Sequence, residues 1–223
     1  RQAHTNHAYD ALMDLAKRLG VRPTDLSLGG SLGLAIGSRG KGGRAAAHYE
    51  TDNHVINLTK TRGDGTLAHE WGHALDFFLR TPFDKNGKKG PESAESKAAI
   101  DDLKSGLMYS WSVDRAMESL DNLLLGTSYI QNQKSLGPIK TAQRYVEHLW
   151  GRWNRVSTDY RKNADKIGKT YWGDPDELWA RAFESTYVYD GMDGDSSYLV
   201  NGWVEESKVS KKTGYRGTIY PEG

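Results

Sequence analysis

The run TLAHEWGHALDFFLR, from Thr66 to Arg80, sets two histidines four residues apart with a glutamate directly after the first. A helix turns about 100° per residue, so His69 and His73 fall one turn apart on nearly one face, with Glu70 on its flank. Two neutral imidazoles so placed can each give a nitrogen to a zinc ion at about 2.0 to 2.1 Å. Leu67, Trp71, Ala74, Leu75 and Phe78 give the same helix an apolar face, and its only interior glycine is Gly72. A glycine there costs on the order of 1 kcal/mol relative to alanine. Its place between the two histidines therefore predicts the close approach of another backbone.

A catalytic zinc takes three protein ligands and leaves one position open. The chain has no cysteine, so any ligand is His, Asp or Glu. A metzincin-type continuation would need a glycine and a further ligand where this chain has Asp76 and Leu79, and is excluded. The later run ELWARAFE offers Glu177 and Glu184, seven apart and able to face one way. The small Ala180 would let this helix come close to the first, and Arg181 is placed to orient a carboxylate, which favours Glu177. Glu184 is the alternative third ligand, and Glu177 has a competing role as the third residue of a capping box. Asp76, one turn beyond His73, is a candidate acceptor for a hydrogen bond from a ligand imidazole.

With that set in place the chemistry is amide hydrolysis. The ion acidifies a water, Glu70 takes the proton and passes it to the leaving amine, and the carbonyl is polarised for attack. Candidate donors to the resulting oxyanion are Tyr171, Tyr187, Tyr198, His48 and Arg181.

The elements that must position these residues read as follows. HAYDALMDLAKRLGV places Ala8, Leu12, Leu15, Ala16 and Leu19 at helical spacing and stops at Gly20. The glycine-rich stretch from Leu28 to Gly43, ending GSRGKGG, lacks phosphate-loop spacing and reads as a mobile loop. Ala45–Thr51 and His54–Thr59 read as the strands of a hairpin turning at Asp52-Asn53, whose strand is placed to pair with an extended peptide. RGD at Arg62 to Asp64 reads as a turn. A polar loop after Arg80 leads into a long helical middle, in which Tyr145, Leu149, Trp153, Val156 and Tyr160 share a core stripe. Asp174 as N-cap and Pro175 at the first helical position open the last strong helix.

These pieces predict an α+β fold that is zincin-like and mostly helical, with a small antiparallel sheet next to the HEWGH helix. Residues 1–223 are read as a single metallopeptidase domain with a helical insertion at about 84–165 and an irregular C-terminal segment at 190–223. The balance of 30 basic and 29 acidic residues gives no global pull toward nucleic acid or anionic lipid. No apolar run approaches the roughly 20 residues a membrane span needs, and RQAHTNHAYDAL lacks the core of a signal peptide, so a cytoplasmic setting is the expectation. A start without Met is read as a piece of a larger polypeptide.

AHYE, HVINLTKTRGDGTLAHEWGHALD, YWGDPDELWARAFE, YLV and the closing YPEG together resemble the first type of large polyvalent protein-associated domain, a zincin-like module of very large phage and conjugative-element proteins. The likeness runs over about residues 28 to 223, apart from about 84 to 165. The pattern is also similar to small gluzincins of mobile elements, whose later helix opens on a ligand glutamate followed by small and apolar residues. The resemblance implies a phage or mobile-element origin in a bacterial host cell, Zn2+ as cofactor, His69, His73 and Glu177 as ligands, and Glu70 as base. The expected function is a zinc endopeptidase acting on a protein or peptide substrate, either its own parent chain or a host protein. The alternative is a catalytically silent, zinc-stabilised binding or scaffold module.

Overall fold

The computed structural model describes residues 2–37, 46–59, 63–80, 104, 158–189, 196, 198–200 and 207–221. Helix α1, Gln2–Leu19, buries Ala8, Ala11, Leu15, Ala16 and Leu19, one stripe at three- and four-residue spacing. It ends where Gly20 takes φ 65°, a left-handed conformation open to glycine, with Lys17 and Arg18 in the last turn at the negative end of the helix dipole. A 3-10 turn at Pro23–Ser27 follows.

Strands β1 (Gly33–Ile36), β2 (Ala47–Glu50) and β3 (Val55–Leu58) form one sheet in the order β1-β3-β2. The pair β2 and β3 is antiparallel, with Tyr49 opposite Ile56 and Glu50 opposite Val55. The pair β1 and β3 is parallel, with Leu34 opposite Ile56. Three sequence expectations are corrected here. The sheet is mixed rather than antiparallel, and part of the glycine-rich stretch read as a loop is a strand. Four residues bracketed by glycines carry too little alternation to announce a strand, and a parallel neighbour leaves no local turn signal. The hairpin is also shorter than predicted. His54 belongs to its turn, at φ 50°, and β3 starts at Val55.

His54 is buried, and its Nδ1 lies 2.5 Å from the Tyr49 hydroxyl. Burial lowers its pKa to about 4 from 6.5. The folded protein thus prefers the neutral ring. The resulting stability is complete above pH 6.5 and is lost as pH falls toward 4, by on the order of 2 kcal/mol. Urea midpoints of wild type and His54→Asn, measured between pH 7 and pH 4.5, should converge on acidification; parallel curves would remove His54 as the cause.

Helix α2, Leu67–Arg80, carries HEWGH and buries Leu67, Ala68, Trp71, Gly72, Ala74, Leu75 and Leu79. Its N-terminal end is tied by the chain at 198–200: the Gly65 amide donates to the Tyr198 carbonyl at 3.0 Å and the Ala68 amide to the Leu199 carbonyl at 3.1 Å. These acceptors satisfy donors that a helix start leaves open. The Trp71 indole donates to the Leu26 carbonyl at 3.0 Å, which seats α2 on the turn after α1.

Helix α3, Asp159–Gly168, is capped by Thr158, whose side chain accepts from the Arg161 amide. Helix α4, Pro175–Ala182, starts at Asp174, which accepts from the Asp176 amide, and continues as π-helical turns over Phe183–Val188. The Tyr160 hydroxyl of α3 donates to the Leu178 carbonyl at 2.8 Å. Strands β4 (Ser207–Val209) and β5 (Arg216–Thr218) make an antiparallel hairpin held to α3 by Tyr215, whose hydroxyl donates to Asn163 Oδ1 at 2.8 Å.

Where α4 crosses α2, a Cβ on Gly72 would stand 3.1 Å from Phe183 Cδ1 and 3.5 Å from the Ala180 Cα. The Trp179 indole donates to the Gly72 carbonyl at 3.2 Å. The helix glycine is thus a point of close backbone approach. The described architecture is α+β: four helices, a mixed three-stranded sheet and a two-stranded hairpin. No helix among the described residues is long and apolar enough to cross a membrane. The predicted insertion at about 84–165 lies outside the described residues except for Lys104 and the start of α3, and so does the glycine-rich stretch from residue 38 onward. The predicted irregular segment at 190–223 contains the β4–β5 hairpin.

Candidate metal centre

The crossing of α2 and α4 sets three donors against one another. His69 Nε2 and His73 Nε2 are 3.2 Å apart, His69 Nε2 is 3.6 Å from Glu177 Oε2, and His73 Nε2 is 3.7 Å from Glu177 Oε1. Donors bound at about 2.0 to 2.1 Å in a tetrahedron stand roughly 3.4 Å from each other. The three edges bracket that value, and one donor atom from each residue lies within 4.8 Å of the others. Glu177 Oε2 is buried with no hydrogen-bond partner. Two imidazoles and a carboxylate with one unsatisfied buried oxygen suit a borderline divalent ion such as zinc.

Glu184 is 4% exposed in the π-helical turns and approaches the opposite side of the same ring, with Oε2 3.3 Å from His69 Nδ1. The Tyr220 hydroxyl donates to that oxygen at 3.3 Å. Two glutamates two turns apart thus meet one imidazole because its two nitrogens point to opposite sides. Such a carboxylate on the outer nitrogen fixes the ring tautomer and leaves Nε2 free to bind.

The ionisation of the cluster follows from this packing. Burial opposes charge on His69, but the contacts with Glu177 and Glu184 override it and raise the pKa to about 10. Burial, and then the charge on His69, lower His73 to about 3. Without an ion, the pair thus favours one positive charge, carried by His69, and a bound cation would take the place of the proton on its Nε2. Burial draws the Glu177 carboxylate up, yet the histidines and Arg181 hold it below its usual range. Glu70 is 8% exposed, and burial raises it to about 7, with His69 opposing, the Glu177 and Glu184 charges adding, and a hydrogen bond from the Tyr49 main-chain amide lowering it. An edge-strand amide of β2 thus tethers the carboxylate next to the cluster.

The other predicted residues fall into two groups. Tyr171, 51% exposed, and His48 line the cavity in front of His69, Glu70, His73 and Glu177, a space of about 510 Å³. Arg181 is buried, its Nη1 is 3.7 Å from Glu177 Oε2, and its Nη2 donates to the Trp172 carbonyl. Tyr187 is instead stacked on Phe183 in the core with Arg18 over its ring, and Tyr198 stacks on His7 of α1 while its carbonyl accepts from the Gly65 amide ahead of α2. Asp76 faces cations rather than an imidazole: Arg80 lies at 2.5 Å and Lys104 at 2.7 Å, and both also bind Asp176. This charge-balanced clasp joins α2 to α4 directly beside His73 and Glu177.

With this arrangement described, comparison with known proteins adds one fact. Residues 164–223 match the family Large polyvalent protein-associated domain 1. The matched stretch holds Glu177, Glu184, Arg181 and Tyr220; His69, Glu70 and His73 precede it. No curated protein matches the chain, and no solved structure does.

Three participants were not singled out from sequence: Lys104, Tyr220 and the Tyr49 amide. A main-chain donor has no side-chain signature, and Lys104 sits in a run of charged residues that marks it as solvated. The nearest signal was YPEG, whose Tyr220 falls in the stretch that carried the family resemblance.

Proposed function

We propose that the chain carries a zinc endopeptidase centre of gluzincin type, zincin-like in fold, with His69, His73 and Glu177 as ligands and Glu70 as general base. The observation that carries this reading is the donor triangle drawn from two helices with a buried glutamate beside it. Zinc bound there supplies a Lewis acid and a water of near-neutral pKa. Glu70, held by the Tyr49 amide, takes a proton on its carboxylate and returns it to the leaving nitrogen. Tyr171 and His48, at the cavity wall, are the donors available to a substrate carbonyl, whereas Arg181 acts through Glu177. Edge strand β2 borders the same cavity, so an extended peptide can pair with it while its carbonyl faces the cluster.

The matched family is described as associated with large polyvalent proteins, in keeping with a single module, residues 1–223, of a larger phage or mobile-element protein that processes its parent or cuts a host protein. The test is cleavage of a diverse peptide pool by zinc-loaded protein, followed by mass spectrometry. Glu70→Gln should lose at least 100-fold in rate while keeping its zinc. Equal rates in the variant, or no cleavage by the zinc-loaded wild type, would leave the zinc-stabilised binding module instead.

A further inference from the structure

A second cavity, of about 240 Å³, is bordered by His69 and Glu70 but not by His73. It begins at Ala46 and Ala47, at the head of β2, and shares Ala47, Tyr171, His69 and Glu70 with the larger cavity. A chain that pairs with β2 and presents a carbonyl to the cluster can therefore reach into it with a neighbouring group.

Three sources of positive charge meet on its wall. Arg181 is 1% exposed, and its Nε and Nη1 are buried without a hydrogen-bond partner. The nearest acid to it, Glu177, lies 3.7 Å from Nη1 and is shared with two imidazoles. Nη2 donates to the Trp172 carbonyl and the Trp172 ring centroid is 5.3 Å from the guanidinium carbon, so the group is held in one place. Lys208, from β4, is the second source. Gly65 and Thr66, just ahead of α2, bring the positive end of that helix to the same wall.

Two acids stand against them, and both are engaged. Glu184 meets His69 Nδ1 and accepts from the Tyr220 hydroxyl, and Glu70 accepts from the Tyr49 amide. A buried guanidinium with unused donors costs stability until something accepts from it. A carboxylate is the acceptor whose charge and forked geometry suit it. An apolar group would leave those donors dry, and an ammonium would be repelled.

We infer that this compartment takes a carboxylate carried by the residue next to the bond presented to Glu70, either an acidic side chain or the free end of a chain, with Arg181 and Lys208 as the residues that recognise it. The inference rests on the peptidase reading for the peptide nature of the ligand but not for its test. Blocked hexapeptides that carry Glu, Gln or Phe at one position, scanned in turn, are titrated by calorimetry into the Glu70→Gln protein, with and without zinc. A second set, neutral throughout, ends in either a free carboxylate or an amide.

In one of the two sets the carboxylate should bind about tenfold more tightly than its amide, the return on one or two charge-assisted hydrogen bonds. The set that shows it tells a side chain from a chain end. Lys208→Met should cut the ratio to about threefold or less, and Arg181→Gln should abolish it. The thermal midpoint reports whether each variant is folded, and Lys208, on the hairpin, keeps the test decisive if the Arg181 variant is not. A carboxylate advantage below about threefold in both sets, a larger gain from Phe than from Glu, or an advantage that Lys208→Met leaves intact overturns the compartment. Carboxylate selectivity in a zinc-loaded wild type that cleaves none of the peptides overturns the peptidase reading and retains the compartment; cleavage without selectivity does the reverse.

Discussion

Glu177→Ala is expected to lower bound zinc from one ion per chain to less than a tenth after dialysis against a weak chelator, whereas Glu184→Ala keeps the ion with an affinity about 10- to 100-fold weaker. The two substitutions remove chemically identical groups seven residues apart. Glu177 lies within 3.7 Å of both Nε2 atoms, whereas Glu184 meets only His69 Nδ1, the nitrogen turned away from His73. Loss of Glu177 leaves two imidazoles and no carboxylate that faces both Nε2 atoms. Loss of Glu184 leaves the three donors intact and only frees the ring to turn. The N-cap of α4 is Asp174, so neither change removes the helix start. Zinc should also raise the thermal midpoint of wild type and of Glu184→Ala but not of Glu177→Ala, since a ligand of the folded state alone stabilises it. Metal analysis by mass spectrometry checks the first statement and a melting series the second. Retention in Glu177→Ala with loss in Glu184→Ala would reverse the assignment of the two residues.

Trp179→Ala should destabilise the fold by about 3–5 kcal/mol, a typical cost for emptying a fully buried aromatic site. For a chain of this size that is roughly 10 °C in thermal midpoint. Trp179 has no exposed surface, stacks near Phe183 with centroids 6.4 Å apart, and spans the crossing to bond Gly72. Trp179→Phe keeps most of the ring and loses the hydrogen bond, for about 1 kcal/mol. Because the same crossing sets the distance from Glu177 to the two histidines, Trp179→Ala should weaken zinc binding as well, without touching a ligand. Urea denaturation and zinc titration of the two variants measure these effects. A loss under 1 kcal/mol in the alanine variant would mean that the crossing is not the structural centre described above.

Much of the local structure was legible along the chain because its causes lie within one or two turns. The apolar stripe of α1, the apolar face of α2, the one-turn spacing of His69 and His73, and the Asp174-Pro175 start of α4 each depend on residues no more than a few positions apart. Gly72 also signalled a close neighbour, because a helix-interior glycine is costly unless something needs the space. The identity of that neighbour, Ala180 with Trp179 and Phe183, was visible only in the folded chain.

What the tertiary structure decided are the relations between distant segments. The parallel pairing of β1 with β3 has no turn to announce it. The proximity of Glu177 to both rings, and of Glu184 to one, depends on how far α4 slides along α2. Tyr187 and Tyr198 carry the same hydroxyl as Tyr171, yet core packing holds one and the start of α2 the other, and only Tyr171 reaches the cavity. The Trp179 to Gly72 bond closes a separation of 107 residues. Residue types and spacing by themselves determined which helices form and which donors face one way. Which donors meet was set by the packing of one buried helix face on another, where a single turn of displacement, about 5.4 Å, separates a ligand from a bystander.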